Sequence, residues 1–333
     1  MNIQTVKFRD LSFVLVTNPG EFEVKYLRNT YGFDSLHLDD YINKTQAPKV
    51  EIYKEYALIV LDFPYVGLNH TEQKSHIFNF PQAALSSVPL PSFSGSIRKK
   101  RMATTQIDFF VGKDYVVILH EGVLSPINDI FAKCQKTLPN RNEFMGQGTV
   151  FLAYRVVDAL VDTCFPLLNE LYATIDKIDK ELEHVPTERT LEEISITRRN
   201  IVVFQTMIKP LIPIFRRLEE GEYRELNGAM QPFWSNVLDH LHKIWERLED
   251  GRELIEGISE SNESFLTSKT NQVIKVLTIF SAIILPLNLL ASLYGMNIDL
   301  PFARDPNAFW IIIFVMLTTS LAMLVVFRFK RWF

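Results

Sequence analysis

The chain has 333 residues, 47% of them hydrophobic, and its 39 acidic and 35 basic side chains give a net charge of −4. This length allows one or two domains with a substantial core. The mixed charge gives no reason to expect nucleic acid as a partner. The two cysteines, Cys134 and Cys164, lack a CxxC or zinc-type spacing, as is usual for a reducing cytosol.

The N-terminal part alternates between strand and helix patterns. Apolar runs rich in β-branched and aromatic residues predict strands at 11–16, 56–63, 106–111 and 115–120, and helices are predicted at 20–31 and 34–42. Gly112, between the last two strands, indicates a hairpin. We therefore predict an α/β fold over residues 1–147. The first 16 residues lack a basic region followed by an apolar core, so no signal peptide is predicted.

Residues 81–104 interrupt this pattern with three prolines, several serines and a basic cluster at 98–101. The simpler interpretation is a surface loop. The alternative is an electrostatic contact with lipid headgroups or with an acidic partner.

From residue 148 onward the apolar spacing becomes helical. One long helix is predicted up to about residue 185, where Pro186 breaks the pattern, and a second, antiparallel helix is predicted over 187–220. Pro210 and Pro213 are expected to bend or interrupt that second helix.

A third helix is predicted over 232–293, with Pro232 in its first turn. Its only strong breakers are Gly251, Gly257 and Pro286. At 1.5 Å per residue such a helix is roughly 90 Å long, so about two thirds of it must lie outside a membrane as a stalk. The apolar stripe of a stalk needs partners, and symmetric self-association supplies them.

Two apolar runs, 276–293 and 308–327, are each long enough to cross a hydrocarbon core of roughly 30 Å. They predict a two-helix transmembrane hairpin joined by an outer loop. Lys and Arg lie mainly on the outer flanks of the pair, at Lys269, Lys275, Arg328, Lys330 and Arg331. This asymmetry predicts a protein of the cell membrane with both termini in the cytosol.

The predicted organisation is therefore an α/β cytosolic domain (1–147), long antiparallel cytosolic helices (148–231) and a stalk helix (232–293) that continues into the first span (about 276–293). An outer loop (294–308), the second span (308–327) and a basic cytosolic tail (328–333) follow.

The first span carries polar residues among apolar ones on one face, whereas the second span is almost wholly apolar. Polar side chains in a bilayer are rare unless they serve a pore or a packing contact. We therefore predict that the first span lines a pore. The candidate pore-lining residues are Asn271, Ile274, Leu277, Thr278, Ser281, Leu285 and Asn288. The alternative is that Asn288 only hydrogen-bonds a neighbouring helix and that Leu277 and Leu285 only pack.

The segment between the spans begins Tyr294-Gly295-Met296-Asn297. Gly295 permits a tight backbone path, and the carboxamide of Asn297 offers an acceptor without a fixed charge. Magnesium sheds its waters reluctantly. A ring of such carbonyls would therefore hold the hydrated ion through its water shell, with less risk of trapping it than a ring of carboxylates.

The Tyr-Gly-Met-Asn placement resembles the signature of the CorA-type magnesium channels. The resemblance extends over nearly the whole chain and includes the segments 38–40, 46–51, 158–162, 270–271, 275–279 and 286–287.

The resemblance implies a homopentameric funnel with five copies of the first span around the axis. It implies a selectivity filter of Gly295, Met296 and Asn297, an apolar gate of Ile274, Leu277 and Leu285, and a polar inner ring at Asn271. The implied function is influx of magnesium through a divalent cation channel. Its partners would be further copies of the chain, the bilayer and divalent cations. Magnesium would be the transported and also a regulatory ion, with no other cofactor.

Two departures from the family pattern affect the expected sites. The acid of the family's outer loop is missing, so Asp299 or Asp305 would have to attract cations. Family members bind regulatory magnesium between protomers at cytosolic carboxylates, and Asn236 replaces a typical Asp. Other acids on the stalk are alternative regulatory residues: Glu246, Asp250, Glu253 and Glu260. A solvated helix face is the simpler interpretation of these acids.

The chain has no P-loop motif and its histidines are scattered, so no enzyme is predicted. A magnesium channel is the first hypothesis, and a zinc or cobalt/nickel transporter on the same scaffold is the second. Met296 favours magnesium, because zinc-transporting relatives tend to replace this residue. The third hypothesis is a membrane-anchored cytosolic protein without transport activity.

Overall fold

The computed structural model describes residues 2–43, 46–67, 101–182, 188–296, 307–330 and 332. The chain divides into two compact units, Met1–Gly257 and Ile258–Phe333. One helix, α9, contributes to both units.

The first unit contains a six-stranded mixed sheet. Its strands are β1 (Ile3–Phe8), β2 (Leu11–Thr17), β3 (Lys49–Ile52), β4 (Tyr56–Gly67), β5 (Arg101–Gly112) and β6 (Tyr115–His120). They lie in the order β1-β2-β6-β5-β4-β3. The β2–β6 pair is parallel, and every other neighbouring pair is antiparallel. The hairpin predicted at Gly112 is confirmed by the β5–β6 pairing.

The four predicted strands are confirmed, but the loop prediction for 81–104 is wrong in its last four residues. Residues 101–104 belong to β5 and pair with 64–67 of β4. They pair through the backbone while their side chains remain mostly exposed or half-buried, so the sequence shows no apolar run there. The rest of the predicted loop, including residues 98–100 of the basic cluster, lies outside the described residues.

Ten α-helices are described. They are α1 (Glu21–Tyr31), α2 (Ser35–Asn43), α3 (Ser125–Lys136), α4 (Leu138–Met145), α5 (Thr149–Asp162), α6 (Cys164–Leu182), α7 (Glu188–Glu219), α8 (Arg224–Asn227), α9 (Gln231–Tyr294) and α10 (Ala308–Phe329). Helices α1 and α2 cover one face of the sheet, where Leu27 and Leu38 are fully buried in a core with Val14, Val60 and Phe110. Helices α3, α5 and α7 also contact the sheet, and the ring of Phe131 on α3 lies 5.0 Å from that of Phe13.

The single helix predicted from residue 148 to about 185 is wrong, because the structure divides it into α5 and α6. At the junction, the Thr163 hydroxyl and its N–H both bond to the carbonyl of Leu160, at 2.6 and 3.2 Å. Pro166 explains the break, because its ring would clash with the Asp162 carbonyl in a continuous helix.

The predicted interruption at Pro210 and Pro213 does not occur, since α7 runs through both residues. Ile208, Leu211 and Phe215 on the same stretch are almost completely buried. Tertiary packing of an apolar face contributes most of the stability of helices in proteins, and here it offsets the two missing N–H groups.

Helix α9 continues through Gly251, Gly257 and Pro286 for 64 residues. In the first unit its buried positions recur every seven residues at Trp234, Leu241, Leu248 and Ile255. Gly251 lies on this buried side. A Cβ there would be 3.6–3.8 Å from side-chain atoms of Leu171, Ile175 and Tyr172 on α6.

We expect Gly251→Leu to destabilise the protein by about 1–3 kcal/mol, because a branched side chain overpacks the contact with α6. Gly257→Ala is the matched control. Gly257 is exposed and no atom lies within 4 Å of an added Cβ, so Ala should stabilise the helix by up to about 1 kcal/mol. Thermal unfolding of the purified full-length chain in detergent measures both. A Gly251→Leu variant as stable as wild type would contradict this account of the contact.

Candidate functional site

Two of the described helices, α9 and α10, are long and apolar enough to cross a membrane. The spanning part of α9 lies in its C-terminal portion, and α10 extends the run predicted at 308–327 by two residues. The side chains of these two segments therefore form the candidate site.

The C-terminal part of α9 has one covered side. Between residues 264 and 294, half-buried or buried positions recur at three- and four-residue spacing, at Lys275, Ile279, Ala282, Ile283, Pro286, Leu287 and Leu290. Ile279, at the centre of this side, is 7% exposed. At 3.6 residues per turn these positions form one stripe of the helix.

The candidate pore residues lie away from the covered stripe, and all seven are exposed. Ile274, Leu277, Ser281, Leu285 and Asn288 share an arc of about 80° opposite Ile279. Thr278 lies about 20° beyond that arc, and Asn271 lies about 40° beyond it, close to the line of Ala282 on the covered stripe. The exposed stripe therefore mixes large apolar side chains with a hydroxyl and a carboxamide.

The threonine hydroxyls of both helices bond to their own backbone. The hydroxyl of Thr278 donates to the carbonyl of Ile274 at 2.8 Å. On α10, the hydroxyl of Thr318 donates to the carbonyl of Phe314, and that of Thr319 donates to the carbonyl of Val315, both at 2.8 Å. Such internal bonds satisfy a hydroxyl in an apolar medium. The threonines of α10 are therefore compatible with a lipid-facing helix.

The predicted filter is described only in part. Gly295 donates from its N–H to the carbonyl of Ala291 at 2.9 Å and ends α9. A Cβ on Gly295 would lie 3.2 Å from that carbonyl oxygen, so the turn favours glycine. Met296 follows with its side chain 50% exposed. Asn297, Asp299 and Asp305 lie outside the described residues.

The stalk acids Glu246, Asp250, Glu253 and Glu260 are all exposed. The three glutamates, seven residues apart, lie about 200° around the helix from the buried Leu248 and Ile255. Among the described residues, no group of three or more His, Cys, Asp or Glu side chains is placed to hold a metal ion. A single chain therefore does not bring these acids together.

Asn236 has a partner within the chain. Its Nδ2 donates to Oδ1 of Asp158 on α5 at 3.2 Å, and His240 Nδ1 lies 3.5 Å from Oδ1 of Asp162. Burial raises the pKa of Asp158, and the charge of Asp162 raises it further. Asp158 therefore binds a proton more readily than an exposed carboxyl does.

Two acids of the sheet, the half-buried Asp62 and the buried Asp108, are not among the residues predicted from sequence. Each interrupts an apolar strand, which is the signal that marks them. The pairing that brings the two strands together is visible only in the structure.

The comparisons with known proteins agree with this arrangement. Residues 67–331 match the family model described as CorA-like Mg2+ transporter protein. The chain is 28% identical over 304 residues to the cobalt/magnesium transport protein CorA of Thermotoga maritima, covering 91% of this chain and 77% of that protein. It is 23% identical to the putative metal ion transporter YfjQ of Bacillus subtilis, covering 99% and 93%.

Among solved structures, the chain resembles the CorA magnesium transporter of Methanocaldococcus jannaschii with a TM-score of 0.76. The match covers 97% of this chain and 92% of that chain at 16% identity. The N-terminal α/β part, the long helix and the two C-terminal apolar helices therefore belong to one known fold.

Proposed function

The chain belongs to the CorA-like Mg2+ transporter family, and from this premise we propose that it is a channel for magnesium influx. Its membership makes it a membrane transporter of divalent cations. The observation that supports a conducting path is the exposed stripe of α9, where Ser281 and Asn288 lie among apolar residues opposite the covered side.

The path requires several copies of the chain. Two membrane helices cannot enclose a pore, and no described residue of the same chain covers the exposed stripe of α9. Closed symmetry places the same stripe of every copy around one axis. By resemblance to the family we propose five copies, with α10 facing the lipid and both termini in the cytosol.

Selection takes place at a ring of Asn297 side chains. Magnesium keeps several waters in its shell, and the carboxamide oxygens accept hydrogen bonds from those waters. The ion thus passes without full dehydration. Asp299 and Asp305 raise the local cation concentration at the outer mouth.

The gate consists of the apolar rings of Ile274, Leu277 and Leu285, which close the path by excluding water. Thr278, Ser281 and Asn288 provide polar positions along it, and Asn271 forms the inner ring. The membrane potential supplies the driving force, because moving two charges across 100 mV yields roughly 4.6 kcal/mol.

Cytosolic magnesium regulates the channel through the stalk acids. In a symmetric bundle Glu246, Glu253 and Glu260 form rings of carboxylates at successive levels, with Asp250 beside them. Oxygen ligands of this kind suit a hard divalent ion.

We expect Asn297→Ala to reduce magnesium influx into liposomes at least about tenfold, because each subunit loses a hydrogen-bond acceptor contributing roughly 1 kcal/mol. Asn43→Ala, an exposed residue of the soluble unit, should leave influx unchanged. Equal influx in both variants would reject the Asn297 ring.

Zinc influx into liposomes holding the wild-type protein is measured in parallel. Zinc flux without magnesium flux indicates a transition-metal transporter, and no flux of either ion favours a membrane-anchored protein without transport.

The triple variant Glu246→Gln, Glu253→Gln, Glu260→Gln should raise the cytosolic magnesium concentration for half-inhibition about tenfold, since three charge contacts of roughly 0.5 kcal/mol are lost. The control removes three exposed acids elsewhere, at Glu55, Glu220 and Glu225. An unchanged dose dependence in the stalk variant would remove the regulatory role.

A further inference from the structure

Two acids lie side by side on the face of the sheet that α2 covers. In the β4–β5 ladder Asp62 pairs with Gln106 and Val60 pairs with Asp108. Asp62 and Asp108 are therefore diagonal neighbours on one face, close enough for their side chains to interact.

Asp108 is fully buried. Its Oδ1 accepts a hydrogen bond from Gln106 Nε2 at 2.8 Å, and its Oδ2 has no partner in the described part of the chain. Tyr41 of α2, 6% exposed, also buries its hydroxyl without a partner there. A polar atom buried without a hydrogen bond costs free energy, and an ionised one costs more.

Charged side chains on three neighbouring elements, β3, β4 and α2, act on Asp108. Asp62 on β4 and Asp40 on α2 oppose its ionisation, and Lys49 on β3 favours it. Burial raises the pKa of the Tyr41 hydroxyl, and the negative charges of Asp108 and of Glu121, which follows β6, raise it further. Lys49 also forms an ion pair with Glu51, with 2.9 Å between Nζ and Oε2.

Burial is the main reason that the pKa of Asp108 rises to about 7, and the Asp62 charge adds to it. Burial also raises the pKa of Asp62 to about 6. Between these two pH values Asp62 is mostly ionised, whereas Asp108 still holds its proton.

We propose that Asp62 and Asp108 form a proton-binding pair and that loss of the proton from Asp108 loosens the packing of α2 on the sheet. Helix α2 is the element that yields, because Leu38 and Tyr41 close this side of the core over Val60, Phe110 and Leu119. Water could reach the Asp108 carboxylate in two ways. Separating β4 from β5 would break the backbone hydrogen bonds of a long ladder, whereas moving α2 away from the sheet breaks none of them.

The direction of the effect follows from the two protonation states. When α2 opens, Asp108 meets water and ionises with an ordinary pKa near 4. When α2 is closed, its pKa is about 7. Raising the pH from about 4 to about 7 therefore favours the open form, and a further rise above the closed-state pKa has no additional effect.

The test is amide hydrogen exchange of α2 in the full-length protein at pH 6 and pH 8, corrected for intrinsic exchange rates. We expect α2 opening to increase about tenfold between the two pH values in wild type and to stay unchanged in Asp108→Asn, which mimics the neutral acid. Asp10→Asn, at the exposed β1–β2 turn, should behave like wild type. No pH dependence in wild type, or the same dependence in Asp108→Asn, would overturn the proposal.

Two further variants keep the Asp108 carboxyl and move the midpoint in opposite directions. Asp62→Asn removes a like charge and should lower the pH at which α2 opening levels off, whereas Gln106→Leu removes a hydrogen bond that favours the ionised form and should raise that pH. Shifts in the same direction would contradict the assignment to Asp108. Infrared difference spectra of wild type against Asp108→Asn should show a protonated carboxyl at pH 6, and its absence would also reject the proposal.

Discussion

A helix that crosses a membrane must have its polar side chains matched by protein or water, and this requirement decides how α9 is used. Ser281 and Asn288 lie on the side of the helix that no described residue of the chain covers. Facing lipid, they would be costly. Facing the same residues of other copies around a water-filled axis, they are satisfied. The proposed assembly and the proposed ion path therefore rest on one constraint.

The same helix carries a different pattern in each compact unit. In the first unit, a heptad of buried residues from Trp234 to Ile255 packs within the chain, and acidic residues occupy the opposite side. In the second unit, Ile279 is covered and the side opposite it holds the candidate pore residues. Neither Gly251, Gly257 nor Pro286 interrupts α9, so one continuous helix carries both patterns.

Sequence patterns predicted those elements whose side chains are buried on a regular period. The strand Tyr115–His120 and the helix Gln231–Tyr294 were predicted for this reason. Strands β1 and β3 were missed because they lie at the sheet edges, with largely exposed or half-buried residues. The helix break at Thr163 was missed because the apolar spacing continues across it. Pro210 and Pro213 do not interrupt α7, because packing offsets their missing N–H groups, and the bend predicted there stays a prediction.

In the candidate site, too, features that follow from a sequence pattern could be predicted, and features that depend on tertiary structure could not. The face of α9 could be predicted because polar residues interrupt an apolar run at seven-residue spacing, whereas its role in conduction remains a proposal. The position of Asn297 in the chain came from a motif, and its geometry lies outside the described residues. The Asp62–Asp108 pair depends on strand register, which no local pattern encodes.

The most direct test of the central claim is cysteine cross-linking between copies in native membranes. Ser281→Cys and Asn288→Cys lie on the proposed pore stripe, and Ile283→Cys lies on the covered stripe. The native cysteines give little background, because burial raises the pKa of both thiols, that of Cys134 to about 11. The account predicts covalent oligomers from positions 281 and 288 but not from 283. Cross-linking at 283 and none at 281 or 288 would contradict it.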